Sequence, residues 1–195
     1  MDKESDNDSF YIQQVINGDT TAFTHIVNKY KDMVFSICIK VTKDHDIAEE
    51  VAQDTFVKAY NNIESFRKES KLSTWLYRIA YNTSISTIRK KKIEFTPIQE
   101  TIVENYSIEE INTDIEGCDR KVVTKKMMDL VSDLSDKDRA LIHLFYLEQN
   151  SVDDISEITQ MSKSNIKVRL HRLRKKLFND LSCFLKKQSV LTPLF

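Results

Sequence analysis

Positively charged side chains are concentrated near the C-terminal end of the sequence. Residues 162–177 read SKSNIKVRLHRLRKKL and hold seven lysines and arginines, one histidine and no carboxylate, although the whole chain has a net charge of −1. Ordinary surface helices mix both signs of charge. Unopposed positive charge attracts phosphates, because binding releases the cations that are condensed on a nucleic acid. We therefore expect these residues to bind nucleic acid.

The side chains that commonly catalyse reactions or hold metals show no such organisation. The four histidines, at positions 25, 45, 143 and 171, form no HxxxH or HExxH pattern, and the sequence contains no GxSxG motif or phosphate-binding glycine loop. Cys38, Cys118 and Cys183 are far apart and form no CxxC pair, which predicts buried free thiols in a reducing cytoplasm. We expect no catalytic residue, no metal and no cofactor.

The apolar pattern gives no sign of export or membrane insertion. The first ten residues, MDKESDNDSF, are polar and acidic, unlike a signal peptide. No apolar run approaches the roughly 20 residues that span a bilayer. These features predict a cytoplasmic protein with no direct membrane insertion.

Turn-forming residues and charge predict an all-α protein with two small helical domains joined by an acidic linker. Only two glycines and two prolines occur in 195 residues, which favours long helices over a sheet. Acidic and basic blocks alternate, and the acidic stretch 93–118 shows no sustained apolar period. The predicted parts are an acidic N-terminal segment (1–20), a first domain (21–92), the linker (93–120), a second domain with a helix-turn-helix (121–187) and a C-terminal tail (188–195).

The second domain has the spacing of a helix-turn-helix. Ser135 with Asp138, and Ser151 with Asp154, form approximate capping boxes at two helix starts. A two-residue turn then precedes Ser162, which can cap the next helix. The apolar residues predicted to face inward are Ala140, Leu141, Leu144, Phe145, Leu147, Val152, Ile155 and Ile158. A short helix, a tight turn and a longer basic helix make up this motif.

The last helix combines a narrow apolar seam with a basic face. At about 100° per residue, Ile166, Leu170, Leu173 and Leu177 fall on one stripe. Opposite this seam lie Ser164, Lys167, Val168, His171 and Lys175, flanked by Arg169, Arg172 and Arg174. Such a helix suits the major groove of DNA, where its N-terminal half would present side chains to base edges. The alternative is a lysine-rich surface helix without a partner.

The first domain contains two amphipathic helical patterns. Residues 46–63 place Ala48, Ala52, Phe56, Ala59 and Ile63 on one stripe. Another side of that helix carries Glu49, Glu50, Gln53 and Asp54, which form either a partner-binding patch or an ordinary solvated surface.

The second pattern covers residues 73–92, with Ser73 as a candidate N-cap, and follows the basic loop FRKESKL. Its polar residues Arg78, Asn82, Ser86 and Arg89 lie near one another on one side. Trp75 is the only tryptophan, and we expect it to anchor the core, with base stacking as the alternative.

Four stretches, taken in this order, carry a specific resemblance to a known family. They are DIAEEVAQDTFVKAY, FRKESKLSTWLYRIAYNTSISTIRK, LSDKDRALIHLFYLEQNS and DISEITQMSKSNIKVRLHRLRKKL, within about residues 20–92 and 125–185. Together they resemble bacterial RNA polymerase sigma factors of the extracytoplasmic-function (ECF) class, which have only regions 2 and 4. The resemblance implies an alternative sigma factor rather than an enzyme. The implied partners are core RNA polymerase (the β′ clamp helices and the β subunit), promoter DNA and an anti-sigma factor, with no small-molecule substrate.

The resemblance also implies a role for each segment. The residues expected on the polymerase clamp are Glu49, Glu50, Gln53 and Asp54. Those expected to capture the −10 element are Phe66, Arg67, Lys68, Ser70, Lys71, Ser73, Thr74, Trp75, Arg78, Asn82 and Arg89. Those expected to bind the −35 element are Ser162, Lys163, Ser164, Asn165, Lys167, Val168, Arg169, His171, Arg172 and Lys175. The linker is expected to thread through the polymerase near the RNA exit channel, and the alternative is an acidic loop that is simply solvated.

Three places depart from the pattern of the family. Ser86 stands where an aspartate is usual, and Gln160 stands where a glycine is frequent. Residues 164–168 read Ser-Asn-Ile-Lys-Val in place of Gly-Thr-Val-Lys-Ser. Val168 in place of serine suggests an apolar contact, for instance with a thymine methyl group.

Two other classes of protein are alternatives. A helix-turn-helix repressor or activator would explain residues 162–177, but it would need neither the acidic patch at 49–54 nor the basic loop before Trp75. A helical metabolic enzyme would need a catalytic constellation, which the sequence lacks.

Overall fold

The chain folds into two groups of helices. The computed structural model describes residues 3–66, 70–95 and 120–191, and the side chains of 7–66, 70–91 and 120–186. Within these ranges all regular structure is helical, which confirms the predicted fold class. The N-terminal domain (residues 3–95) consists of α1 (Lys3–Ile16), α2 (Ala22–Thr42), α3 (His45–Asn61), a 3-10 turn (Ile63–Ser65) and α4 (Leu72–Phe95). The C-terminal domain (residues 120–191) consists of α5 (Arg120–Ser132), α6 (Asp136–Ile142), a π-helical turn (His143–Leu147), α7 (Val152–Thr159) and α8 (Lys163–Leu191).

The predicted linker falls almost wholly outside the described residues. Its expected path near the RNA exit channel therefore stays a prediction. Helix α4 continues to Phe95 and helix α8 to Leu191, so both helices run a few residues past the predicted ends of the domains.

The core of the N-terminal domain lies between α2, α3 and α4. Its buried side chains include Val34, Ile37, Cys38, Val41, Ala48, Val51, Ala59, Leu76 and Ala80. Helix α1 packs against α2, where Ile12 and Val15 are buried. Asp8 in α1 accepts hydrogen bonds from Lys29 Nζ (2.8 Å) and from the Tyr30 hydroxyl. The acidic segment at the start of the chain therefore contributes a helix to this domain.

Serine side chains cap α6, α7 and α8 of the C-terminal domain, as predicted. Ser135 Oγ accepts from the Asp138 N–H at 3.3 Å, and Ser162 Oγ accepts from the Asn165 N–H at 3.2 Å. Ser151 and Asp154 form a complete capping box.

The prediction of Ser73 as an N-cap is wrong. Helix α4 begins at Leu72, and the Trp75 N–H donates to the Lys71 carbonyl, so Ser73 is already inside the first turn.

The predicted apolar seam of α8 forms the core of the C-terminal domain. Ile166, Leu170, Leu173 and Leu177 are all buried, together with Leu144, Ile155 and Ile158 from the preceding elements.

Leu147, which was predicted to face inward, is instead 65% exposed. Helix α6 passes into the π-helical turn, whose wider i→i+5 spacing rotates Leu147 away from the side that Ala140 and Leu144 share.

The two domains touch where α2 and α4 meet α6 and α7. Arg139 in α6 is only 4% exposed, and its Nε donates to the Lys40 carbonyl at the end of α2. Its Nη2 donates to the Val41 carbonyl at 3.1 Å. Lys43 Nζ donates in turn to the Ser132 carbonyl at the end of α5. Side chains of each domain therefore bind the end of a helix in the other.

The thiols follow the prediction only in part. Cys38 is buried, Cys183 is exposed, and Cys118 lies outside the described residues. Cys183 follows the buried Leu181 by two residues, about 200° of helix rotation, which turns the thiol away from the core.

In the described part of the chain, no helix has the length and apolar character that crossing a membrane requires. The same residues contain no cluster of three or more His, Cys, Asp or Glu side chains that could hold a metal ion.

Candidate nucleic-acid interface

The acidic side of α3 lies on the surface of the N-terminal domain. Glu49, Glu50, Gln53 and Asp54 are all exposed. Val57 follows Gln53 by one helical turn on the same side and is 58% exposed. The sequence interpretation missed Val57, although its i+4 spacing from Gln53 could have identified it. The acidic face (Glu49, Glu50, Gln53, Asp54 and Val57) therefore combines negative charge with an exposed apolar group.

An aromatic pair stands where the basic loop meets α4. The ring centroids of Phe66 and Trp75 are 5.4 Å apart, with their planes inclined by 49°. Both side chains are half-buried, so Trp75 is anchored and still reaches the surface. Aromatic side chains in such positions can stack on an unpaired base. Of the other predicted loop residues, Ser70 is half-buried, Lys71 is exposed, and Arg67 and Lys68 lie outside the described residues.

Helix α4 presents most of its predicted polar residues to solvent. Arg78, Asn82 and Arg89 are exposed along one side, and Ser86 is exposed among them. Thr74 stands at the edge of this side nearest the C-terminal domain and is only 1% exposed. Its hydroxyl donates to Asp154 Oδ1 of α7 at 3.2 Å. The structure therefore brings the exposed residues together and covers Thr74, while the neighbouring Ser73 is half-buried.

Helix α8 turns its basic face toward solvent and its seam toward the core. The exposed members of the predicted set are Ser162, Lys163, Ser164, Asn165, Lys167, Val168, His171 and Arg172. The other two members, Arg169 and Lys175, are half-buried. Arg169 Nε also pairs with Asp138 Oδ1 of α6. Most of the predicted DNA-facing side chains therefore lie on one accessible side of α8.

A buried polar cluster, which the sequence interpretation missed, lies between the domains. His143 Nε2 is 3.1 Å from Ser36 Oγ in α2 and 3.2 Å from Glu148 Oε1. Burial lowers the pKa of His143. The Glu148 carboxylate raises this pKa, and the Lys40 ammonium lowers it further. Tyr77 of α4 lies next to Glu148, and burial raises the pKa of its hydroxyl because the charged form of tyrosine is the deprotonated one. No local spacing could have found this cluster, because Ser36 and His143 are 107 residues apart.

Two family models match the helices that carry these surfaces. The model of Sigma-70 region 2 matches residues 26–93, and the model of Sigma-70, region 4 matches residues 124–177. The chain is also 34% identical over 182 residues to the ECF RNA polymerase sigma factor SigW of Bacillus subtilis, covering 87% of this chain and 94% of SigW. The chain belongs to the ECF family of RNA polymerase sigma factors. This sigma factor is also 30% identical over 180 residues to the ECF RNA polymerase sigma-E factor of Haemophilus influenzae, covering 89% and 95% of the two chains.

Solved structures share the fold of this sigma factor. The sigma factor RpoE of Bartonella quintana, in complex with the anti-sigma factor NepR, is 26% identical with a TM-score of 0.59, covering 82% of this chain and 95% of RpoE. CnrH in complex with the cytosolic domain of CnrY is similar in fold alone, with 18% identity, a TM-score of 0.64 and coverage of 91% and 98%. Family membership decides in favour of the sigma-factor interpretation over the repressor alternative.

Proposed function

We propose that this sigma factor binds core RNA polymerase and directs it to promoters by contacting the −10 element through its N-terminal domain and the −35 element through its C-terminal domain. The observation that carries this proposal is the separation of two exposed surfaces of opposite charge. The acidic face lies on α3 in the part that matches region 2, and the basic face lies on α8 in the part that matches region 4.

The acidic face of α3 is the proposed docking surface for the β′ clamp helices. Glu50 and Asp54 are spaced i, i+4, so their carboxylates repel each other. In an isolated helix such a pair lowers helix stability by about a few tenths of a kcal/mol. A basic partner would relieve the repulsion and steer association electrostatically. Val57 would lie against an apolar side chain of that partner. The β subunit is a further proposed partner.

The −10 element is the proposed ligand of the loop before α4 and the first turns of that helix. Phe66 and Trp75 offer an aromatic surface on which a base displaced from the duplex can stack, and stacking contributes about 1–3 kcal/mol per base. The exposed Arg78, Asn82 and Arg89 would hold the adjoining backbone. Arg67, Lys68, Ser70, Lys71, Ser73 and Thr74 complete the proposed set.

The −35 element is the proposed ligand of α8. Its buried seam leaves the opposite side free to enter the major groove, where Lys167 and Val168 in the N-terminal half would meet base edges. Arg172, one turn further on, would meet phosphate. Arg169 would also contact DNA once its ion pair with Asp138 is broken.

The protein would supply specificity while the polymerase supplies chemistry. We propose no catalysis and no cofactor for it, and a cytoplasmic location with the polymerase. An anti-sigma factor is a proposed regulator, supported by the complex of the RpoE relative with NepR.

Run-off transcription tests this function directly. Core RNA polymerase freed of sigma factors is incubated with fragments that carry candidate promoters, with and without the protein. The proposal predicts discrete run-off products only when the protein is present. It is wrong if the protein leaves the products of core enzyme unchanged.

A further inference from the structure

The turn between α7 and α8 contains a strained residue. Gln160, which ends α7, has a φ of 60° and adopts the left-handed backbone conformation. Glycine adopts this conformation freely, whereas a residue with a Cβ atom is disfavoured because that atom comes too close to a carbonyl oxygen. Such a residue keeps a left-handed backbone only where its surroundings hold it there. We therefore expect specific contacts to hold this turn.

The half-buried Ser156 binds the turn twice. Its carbonyl accepts the Gln160 N–H at 2.9 Å, which closes the last turn of α7. Its hydroxyl donates to the Met161 carbonyl at 2.7 Å, on the far side of the strained residue. Met161 is followed at once by Ser162, whose side chain caps α8. The Ser156 hydroxyl therefore ties α7 to the residue that directly precedes α8.

The other hydrogen bonds of the turn are less suited to this role. The side-chain amide of Gln160 donates to the Glu157 carbonyl at 2.7 Å, so this bond stays within α7 and its cap. The Met161 N–H reaches Thr159 Oγ1 only at 3.4 Å, which is long for an N–H···O hydrogen bond.

Neither the ion pair across the turn nor the apolar seam fixes the direction of α8 as sharply. Lys163 Nζ lies 2.9 Å from Asp153 Oδ2, but the two side chains are 59% and 72% exposed, and exposed ion pairs contribute little. The buried seam holds α8 against the core through apolar contacts, which are non-directional. The Ser156 hydroxyl is therefore the firmest tie between the strained turn and the start of α8.

The direction of α8 decides where its proposed base-reading side chains stand. Val168 follows Met161 by seven residues, which is about 10 Å of helix at about 1.5 Å per residue. A binding site has to be held within about 0.5 Å and about 10–20°, and a rotation of about 15° at Met161 would move Val168 by about 3 Å. Loss of the tie would therefore misplace Lys167 and Val168 in the major groove without unfolding the helix.

We infer that Ser156 is a positioning residue for the −35 contact, because its hydroxyl holds the strained turn at Gln160 and thereby sets the direction in which α8 enters the major groove. This inference rests on the proposed function and names a residue that determines its specificity. Ser156 acts through the turn, so its hydroxyl is needed only while residue 160 has a Cβ atom. A glycine at position 160 would adopt the left-handed backbone unaided and make the tie dispensable.

A double-mutant cycle over Ser156 and Gln160 tests this inference in the full chain. The variants are Ser156→Ala, Gln160→Gly and the two combined, with Ser156→Thr as the replacement that keeps a hydroxyl. The matched control is Ser132→Ala, because the Ser132 hydroxyl also donates to a backbone carbonyl, that of Asp129 at 2.8 Å, at the end of α5. Each protein is combined with core polymerase and templates randomised across the −35 element, and its melting curve is recorded.

Ser156→Ala should lower the preference for the best −35 base opposite Val168 at least about fivefold, the lower end of what one good base contact contributes. Ser156→Thr and Ser132→Ala should keep the preference of the parent, and Gln160→Gly should restore it to Ser156→Ala.

Three results overturn the inference. The first is a base preference of Ser156→Ala equal to that of the parent, with transcription lowered uniformly on all templates or not at all, since destabilisation alone acts on every template alike. The second is an equal loss of preference in Ser132→Ala. The third is a loss in Ser156→Ala that Gln160→Gly does not restore. Failure of the proposed function is distinct, because then the parent itself shows no preference for any −35 sequence.

Discussion

The Asp154 carboxylate connects Thr74 of α4 to the first turn of α7. Oδ1 of Asp154 accepts the Thr74 hydroxyl at 3.2 Å, while Oδ2 accepts the Ser151 N–H at 3.2 Å within the capping box. Asp154, which completes the capping box of α7, is therefore also the residue that covers Thr74, so these two roles can be separated by substitution.

Removing only the hydrogen bond from Thr74 to Asp154 should cost less than removing both roles of this carboxylate. Thr74→Val deletes one neutral donor and should lower the free energy of unfolding by about 0.5–1.5 kcal/mol. Asp154→Asn also weakens the cap and loses negative charge at the N-terminus of α7, which should add about 0.5–1 kcal/mol. Urea denaturation of both variants measures the difference. Equal losses would show that the cap contributes nothing.

Charge reversal on the acidic face should abolish capture of core polymerase. Glu50→Lys combined with Asp54→Lys places positive charge where a basic partner is proposed, and binding should fall at least about tenfold while helicity is retained. The matched control is Asp32→Lys with Glu64→Lys, which makes the same change of charge at exposed positions outside this face. Pull-down of core enzyme at moderate salt decides the assignment. Undiminished capture of the first variant, or equal loss with the control, would contradict it.

Val168 and Leu170 should separate DNA recognition from folding on one helix. Val168 is 46% exposed on the basic face, so Val168→Ser should shift the preferred −35 base by about 1–3 kcal/mol and leave the melting temperature nearly unchanged. Leu170 is buried in the seam, so Leu170→Ala should cost about 2–5 kcal/mol of stability. Transcription from templates randomised across the −35 element, with melting curves, measures both. A melting loss for Val168→Ser as large as that for Leu170→Ala would mean that the wrong face is assigned to DNA.

Mild acid should destabilise the native protein through His143. Since burial lowers its pKa in the folded state, the unfolded chain takes up the proton first as the pH falls. The stability that the neutral imidazole contributes is complete above its ordinary pKa of about 6.5. It is lost as the pH falls from there toward the folded pKa, by at most about 1.4 kcal/mol per pH unit. Denaturation at pH 7.5 and pH 5.5 should show this loss for the parent and a smaller one for His143→Gln. Identical pH dependence in the two proteins would remove His143 as its source.

Local patterns in the sequence predicted the helices and the two faces of α8 because both depend on near neighbours. The seam from Ile166 to Leu177 follows from helical periodicity, and the capping box of Ser151 with Asp154 follows from a spacing of three residues. The exposure of Glu50 and Asp54 follows from the same reasoning.

The errors and omissions of the sequence interpretation arise from features that near neighbours in the sequence do not determine. Leu147 was misplaced because a π-helical turn breaks the period that the prediction assumed. Arg139 was missed because its partners are the backbone carbonyls of Lys40 and Val41, 99 and 98 residues away, and every residue carries such a carbonyl whatever its side chain. The cover over Thr74 depends likewise on how the domains meet, which no single helix encodes.

Mapping of RNA 5′ ends made by core polymerase on fragmented genomic DNA tests the proposed function most directly. With the parent protein, the starts should lie downstream of two shared sequence blocks at a nearly constant separation, the upstream block near −35 and the downstream block near −10. These starts should vanish without the protein and with the Glu50→Lys/Asp54→Lys variant. Starts that are the same with and without the protein, or that share only one block, would contradict a sigma factor that places one domain on each promoter element.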